Sequence, residues 1–142
     1  NMQAFKRVLH RTTVLAAVAA LTLAAAITLV GEALVAVLTD LDEVIVASLA
    51  LLHICAVYVI ASFPAFQLDG IFIGTSLTKE MRNASFLSLL VFLAAVSVLT
   101  ETYALAGLWW AMVVFVIARA ISLWVYVPRL WDHFAQDAEV TV

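Results

Sequence analysis

Residues 66–88 read FQLDGIFIGTSLTKEMRNASFLS. An acid, Asp69, and two glycines, Gly70 and Gly74, stand near the end of a long apolar run. A short turn with two bases, Lys79 and Arg82, follows, and hydrophobic sequence resumes at Phe86. A carboxylate inside an apolar run demands a partner or an aqueous cavity, and a basic break between two apolar runs is how a chain turns at a membrane surface. The stretch therefore reads as the junction of two membrane helices.

Composition supports that reading on either side. Of the 142 residues, 66% are hydrophobic and only 12% charged, and the mean hydropathy is +1.14. A soluble domain is nearer half apolar and a quarter charged, so this chain has too little polar surface to cover a globule. It belongs in a bilayer. The single cysteine, Cys55, lies within an apolar run and reads as a small packing residue with no disulfide or metal partner.

Working outward, four apolar spans are predicted in an all-α, polytopic membrane helix bundle: about 12–38, 44–73, 84–99 and 104–127. The first is roughly 27 residues, or about 40 Å of helix, enough to cross a hydrocarbon core of about 30 Å with tilt. Alanines crowd its first half, from Ala16 to Ala26, and small side chains let membrane helices approach closely. Glu32 reads as an interfacial acid or as a residue facing a cavity. The loop Thr39-Asp40-Leu41-Asp42-Glu43 is short, which forces an antiparallel neighbour; Asp40 or Asp42 is expected to cap the next helix. The second span carries Pro64, expected to break or bend it. Thr100-Glu101-Thr102-Tyr103 reads as a second acidic loop, Pro128 and Arg129 as the end of the fourth span, and 128–142 as a short tail frayed from His133 onward.

Basic residues set the expected orientation. Lys6, Arg7 and Arg11 precede the first span, Lys79 and Arg82 separate the second from the third, and Arg129 follows the fourth, while the other two loops carry none. By the positive-inside rule both termini and the central loop face the cytoplasm. The basic start at Lys6, Arg7, His10 and Arg11 reads as the tail of a preceding loop, and the apolar run after it is too long for a signal peptide. The expectation is a truncated gene product.

Little in the sequence points to covalent chemistry. His10, His53 and His133 lie in three different settings, no HExxH or phosphate-binding loop is present, and the serines have no histidine and acid beside them at membrane depth. The chain is therefore read as a non-enzyme with no cofactor or metal, and six of its seven bases are explained by topology, which argues against nucleic-acid binding. Two ionisable residues remain inside apolar spans, Asp69 and Arg119. Each costs at least about 2.5 kcal/mol at mid-bilayer on the most lenient scale. They read as ion or substrate contacts, as a mutual salt bridge, or as anchors at the inner leaflet. Gln67, His53, Tyr58 and the tryptophans are candidate cavity lining, and Pro64, Gly70 and Gly74 candidate bend residues.

The run LDGIFIGTSLTKEMRN closely resembles the LDGIFIGxxxTxxMRN signature of the DinF-type branch of the MATE (multidrug and toxic compound extrusion) family. GLWWAMVVFVIARAISL is similar to that branch's last helix, and LTDLDEV resembles its short loop two helices earlier. Together the landmarks cover residues 4–127. The resemblance implies twelve helices in two lobes that rock about a central cavity, exporting drugs or organic cations in exchange for H⁺ or Na⁺ across a bacterial cytoplasmic (inner) membrane. This chain would supply the last four helices, and its implied partners are the N-terminal lobe, the first two helices of its own lobe and membrane lipid. The branch's cation-linked acid lies on the first helix of the other lobe, so no residue here inherits that role; Asp69 matches the LDG acid. At Ser76-Leu77 the family more often has a small residue and an arginine. Two other readings stand beside this one: a lipid-linked precursor flippase of the same superfamily, and a four-helix membrane scaffold that does not transport.

Overall fold

The computed structural model describes the backbone of residues 2–140 and the side chains of residues 6–130. Within them the protein is helical throughout, in three elements: α1 (Met2–Leu38), α2 (Asp42–Gly74) and α3 (Thr78–Val140). All three are long and apolar enough to cross a bilayer. The expected class, an all-α membrane helix bundle, is observed, with differences in how the spans are joined.

Helix α1 begins earlier than the apolar run. Lys6, Arg7, His10 and Arg11 lie inside it, not in a loop, because long straight side chains cost a helix little and nothing here breaks it. Ala20, Ala24 and Gly31 are its buried residues; they share one face and turn it toward α2. A methyl group on Gly31 would already meet the Leu52 side chain at 2.9 Å. Small residues on this stripe are what let the two helices lie side by side. The link to α2 is residues 39–41. Leu41, not an aspartate, occupies the N-cap position, and no side chain caps the helix. Asp42 and Glu43 fall in its first turn instead, where their charge complements the helix dipole.

Helix α2 runs through Pro64 to Gly74. The proline removes one hydrogen bond, to the Ile60 carbonyl, without ending the helix. Nor do Gly70 and Gly74 make the expected bend: neither has positive φ, and a Cβ on either would meet nothing within 4 Å. The chain turns one step later. Thr75 is the C-cap, Ser76 takes φ 58°, its N–H donates to the Ile73 carbonyl, and the Leu77 N–H donates to the Phe72 carbonyl. This is a Schellman ending, completed by the packing of Leu77 on the Phe72 cluster. Its left-handed position normally holds glycine, and a side chain there costs about 1 kcal/mol. Ser76→Gly is accordingly expected to stabilise the protein by about 1 kcal/mol, read as a higher thermal midpoint in detergent.

The expected third and fourth spans are the two helical limbs of one element, α3, joined directly at Ala104 with no loop between them. Its backbone is helical except at Ala104, with φ 48° and ψ −124°. Residue pairs on either side show that the chain reverses there: Phe92 packs edge to face on Phe115 at 5.7 Å, Ser85 meets Arg119, and Glu80 meets Arg129. These pairs are nearly symmetric about Ala104, as in a helical hairpin with antiparallel limbs, 78–103 and 105–140. The expected acidic loop at Thr100–Tyr103 is helical. Gly107 makes so tight a reversal feasible, since a Cβ there would collide with the Leu99 carbonyl oxygen. Pro128 does not end the second limb, and helix continues to Val140; the rest of the expected frayed tail, 141–142, lies outside the described residues.

Helix α2 sits between α1 and α3, which do not approach each other closely among the described residues. Asp69 meets Arg119 and Tyr58 meets Trp109 at almost the same sequence offset, so α2 and the second limb of α3 run parallel. A core of Leu68, Phe72, Ala84 and Leu123 joins α2 to both limbs. This topology gathers Lys6, Arg7, Arg11, Lys79, Arg82 and Arg129 at one end of the bundle and Asp40, Asp42, Glu43 and Glu101 at the other.

Candidate functional site: an intramembrane ion pair beside an apolar cavity

Asp69 and Arg119 are brought together by the parallel packing of α2 on the second limb. Arg119 Nε donates to Asp69 Oδ2 at 2.9 Å and its Nη2 donates to Oδ1 at 2.8 Å, a two-point fork in which each partner's shape fits the other. The third donor direction is also used: Arg119 Nη1 donates to Ser85 Oγ at 2.7 Å. Both charged side chains are 16% exposed. At this depth an isolated ion is costly, whereas a forked pair is neutral overall and meets most of its hydrogen-bonding demand internally. Three segments thus converge on one polar node: α2 through Asp69, the first limb through Ser85, the second through Arg119.

Beside the node lies a cavity of about 800 Å³ between the start of α1, the end of α2 and the second limb. Leu9, Pro64, Leu68, Ile121 and Trp124 give it an apolar wall; Lys6, His10, Thr13 and Gln67 supply its polar groups. Its volume falls in the range of sites for drug-sized molecules. Gln67 does not hang loose in it: Nε2 donates to Thr12 Oγ at 3.0 Å and to Thr13 Oγ at 3.3 Å, tying α2 to α1. Asp69 and Arg119 do not line the cavity, although their chain neighbours Leu68 and Ala120 do. The node and the cavity therefore share two walls.

The other expected lining residues lie elsewhere. His53 is exposed and away from the cavity, because the face of α2 that carries it is turned outward. Tyr58 packs edge to face on Trp109 at 6.4 Å and ties α2 to the second limb. Of the tryptophans, Trp124 lines the cavity, Trp110 is exposed, and the Trp131 side chain lies outside the described residues. Glu32 is exposed on α1. Among the described residues no cluster of His, Cys, Asp or Glu could hold a metal ion.

Ser85, Thr12 and Thr13 are the contacts that the sequence reading did not single out. A partial signal for the threonines was present: Thr13 and Gln67 are placed symmetrically about the short 39–41 link, so antiparallel pairing brings them to the same level. Ser85 required knowing that α3 reverses at Ala104.

No curated protein and no solved structure matches this chain. The family model MatE matches residues 1–99, which takes in α1, α2 and most of the first limb of α3. That match spans more than half of the sequence and falls on helices long and apolar enough to cross a bilayer: the chain belongs to the MatE family of multi-pass membrane transporters.

Proposed function

We propose that this chain is part of a secondary active efflux antiporter of the DinF-type branch, exporting drug-sized amphipathic organic compounds, including organic cations, in exchange for H⁺ or Na⁺. The observation that carries the reading is the apolar cavity sharing walls with the Asp69–Arg119 pair. An apolar wall with a few polar groups binds such compounds through their hydrophobic surface. A proton or Na⁺ that reaches Asp69 competes with Arg119 for the same carboxylate, so cation binding loosens α2 from the second limb and shifts the helices that wall the cavity. The remaining helices of a two-lobed transporter complete the path. With the basic end of the bundle on the cytoplasmic side of a bacterial inner membrane, as the positive-inside rule places it, the node lies toward the cytoplasm, where exported compounds enter.

The test is cation-driven efflux by the full-length parent protein in everted vesicles, with Asp69→Asn against wild type. Coupled efflux is expected to fall by about tenfold, because the substitution removes the charge and strands Arg119 without its counter-ion. Unchanged coupling would reduce the pair to a structural fastening. Movement of a lipid-linked anion in place of drug efflux would favour the flippase reading.

A further inference from the structure

We infer that Ser85 is the positioning residue of the ion pair, fixing which edge of the Arg119 guanidinium meets Asp69. A guanidinium can present either of two edges to a carboxylate. Here the Nε/Nη2 edge is used, and Nη1 points to Ser85 Oγ. Ser85 is held ready for that task. Its one hydroxyl hydrogen is donated to the Met81 carbonyl at 2.8 Å, one turn back on the same limb, which leaves only lone pairs to face Nη1. The hydroxyl is thereby a fixed acceptor, its direction set by the helix and not by the ion pair. The Glu80–Arg129 contact between the same two limbs, at 3.6 Å, is longer and cannot take over this role, since Arg129 is largely exposed. Ser85 therefore anchors Arg119 to the first limb whether or not Asp69 is charged, and it keeps an acceptor for the arginine when a cation takes the carboxylate. That last clause rests on the proposed antiport; the positioning role itself does not.

Two measurements on the full-length protein test it. In detergent, Ser85→Ala is expected to lower the thermal midpoint by about 4 °C, the scale of one charge-assisted hydrogen bond in a protein of this size. Ser85→Thr, which keeps the hydroxyl, is expected to restore most of it. In an Arg119→Lys background, where the shorter reach of an ammonium cannot serve both Asp69 and Ser85 at once, Ser85→Ala is expected to have almost no further effect. A threonine that fails to restore stability, or an alanine equally harmful in the lysine background, would overturn the assignment. In transport, Ser85→Ala is expected to raise the cation concentration for half-maximal efflux by about fivefold, because the cation-bound state then leaves Arg119 without an acceptor, and Ser85→Thr to return it. If efflux shows no cation dependence, the antiport reading fails while the stability comparison still decides the role of Ser85.

Discussion

Arg119→Met is expected to cost the folded protein about 3–5 kcal/mol, the effect of removing one member of a buried ion pair and leaving the other unmatched. Asp69 is only 16% exposed, and with its fork of donors gone its charge is left largely uncompensated. The double replacement Asp69→Leu with Arg119→Met is expected to recover most of that loss, since two apolar side chains suit a membrane interior better than one stranded charge. The comparison is made by denaturant titration in micelles for both singles and the double. Its discriminating feature is the pattern: a large loss in each single variant and a small one in the double. Additive losses would mean that the two charges act independently, contrary to the 2.8 Å and 2.9 Å contacts. The double variant should also separate stability from transport, being folded and uncoupled.

The second large effect concerns Gly107. Gly107→Ala drives a methyl group into the Leu99 carbonyl group, oxygen and carbon alike. Those are backbone atoms within a helix, so no rotamer change relieves the contact, and the limbs of α3 must separate. A cost of about 3 kcal/mol or more is expected, at or above the upper end for inserting one methyl into a packed site. The consequence travels along the hairpin: opening it draws Phe115 from Phe92 and Arg119 from Ser85. A lower thermal midpoint, together with faster proteolysis near Ala104, would report this opening. Gly31→Ala is the contrasting case, since its close neighbour is the tip of the Leu52 side chain, which can rotate away.

Much of the architecture was legible before any coordinates. Long apolar runs separated by short polar breaks specify membrane helices because a bilayer leaves the backbone no other way to satisfy its hydrogen bonds. Where the breaks fall set which helices are antiparallel, and hence that Thr13 and Gln67 lie at the same level, but not that they face each other. The joints were less legible. Gly70 and Gly74 read as a bend, yet the left-handed residue is Ser76, because a Schellman ending is fixed by where the last carbonyls find donors and not by where glycine is available. Thr100–Tyr103 read as a loop from its polarity, yet it stays helical because each residue in it can keep its backbone hydrogen bond, and one residue, Ala104, suffices to turn the chain when Gly107 gives way. Pro64 and Pro128 read as interruptions, but losing one hydrogen bond does not end a helix whose flanks are packed.

The candidate site divides in the same manner. Asp69 and Arg119 stood out from composition alone, because a charge in an apolar run is expensive wherever it lies. Whether they were partners, anchors or separate contacts depended on the sequence offset between α2 and the second limb, and so on packing between segments far apart in the chain. His53 read as well as Gln67 did, since a helix of nearly uniform hydrophobicity does not show which of its faces turns inward. By itself, then, the sequence determined that this protein is a bundle of membrane helices, which end of it is basic, and which two residues carry intramembrane charge. Only the tertiary structure decided that those charges pair, that Ser85 holds the arginine, and that a cavity opens beside them. Local sequence sets hydrogen bonding and burial along each helix, whereas a site made by three segments exists only once their faces are matched.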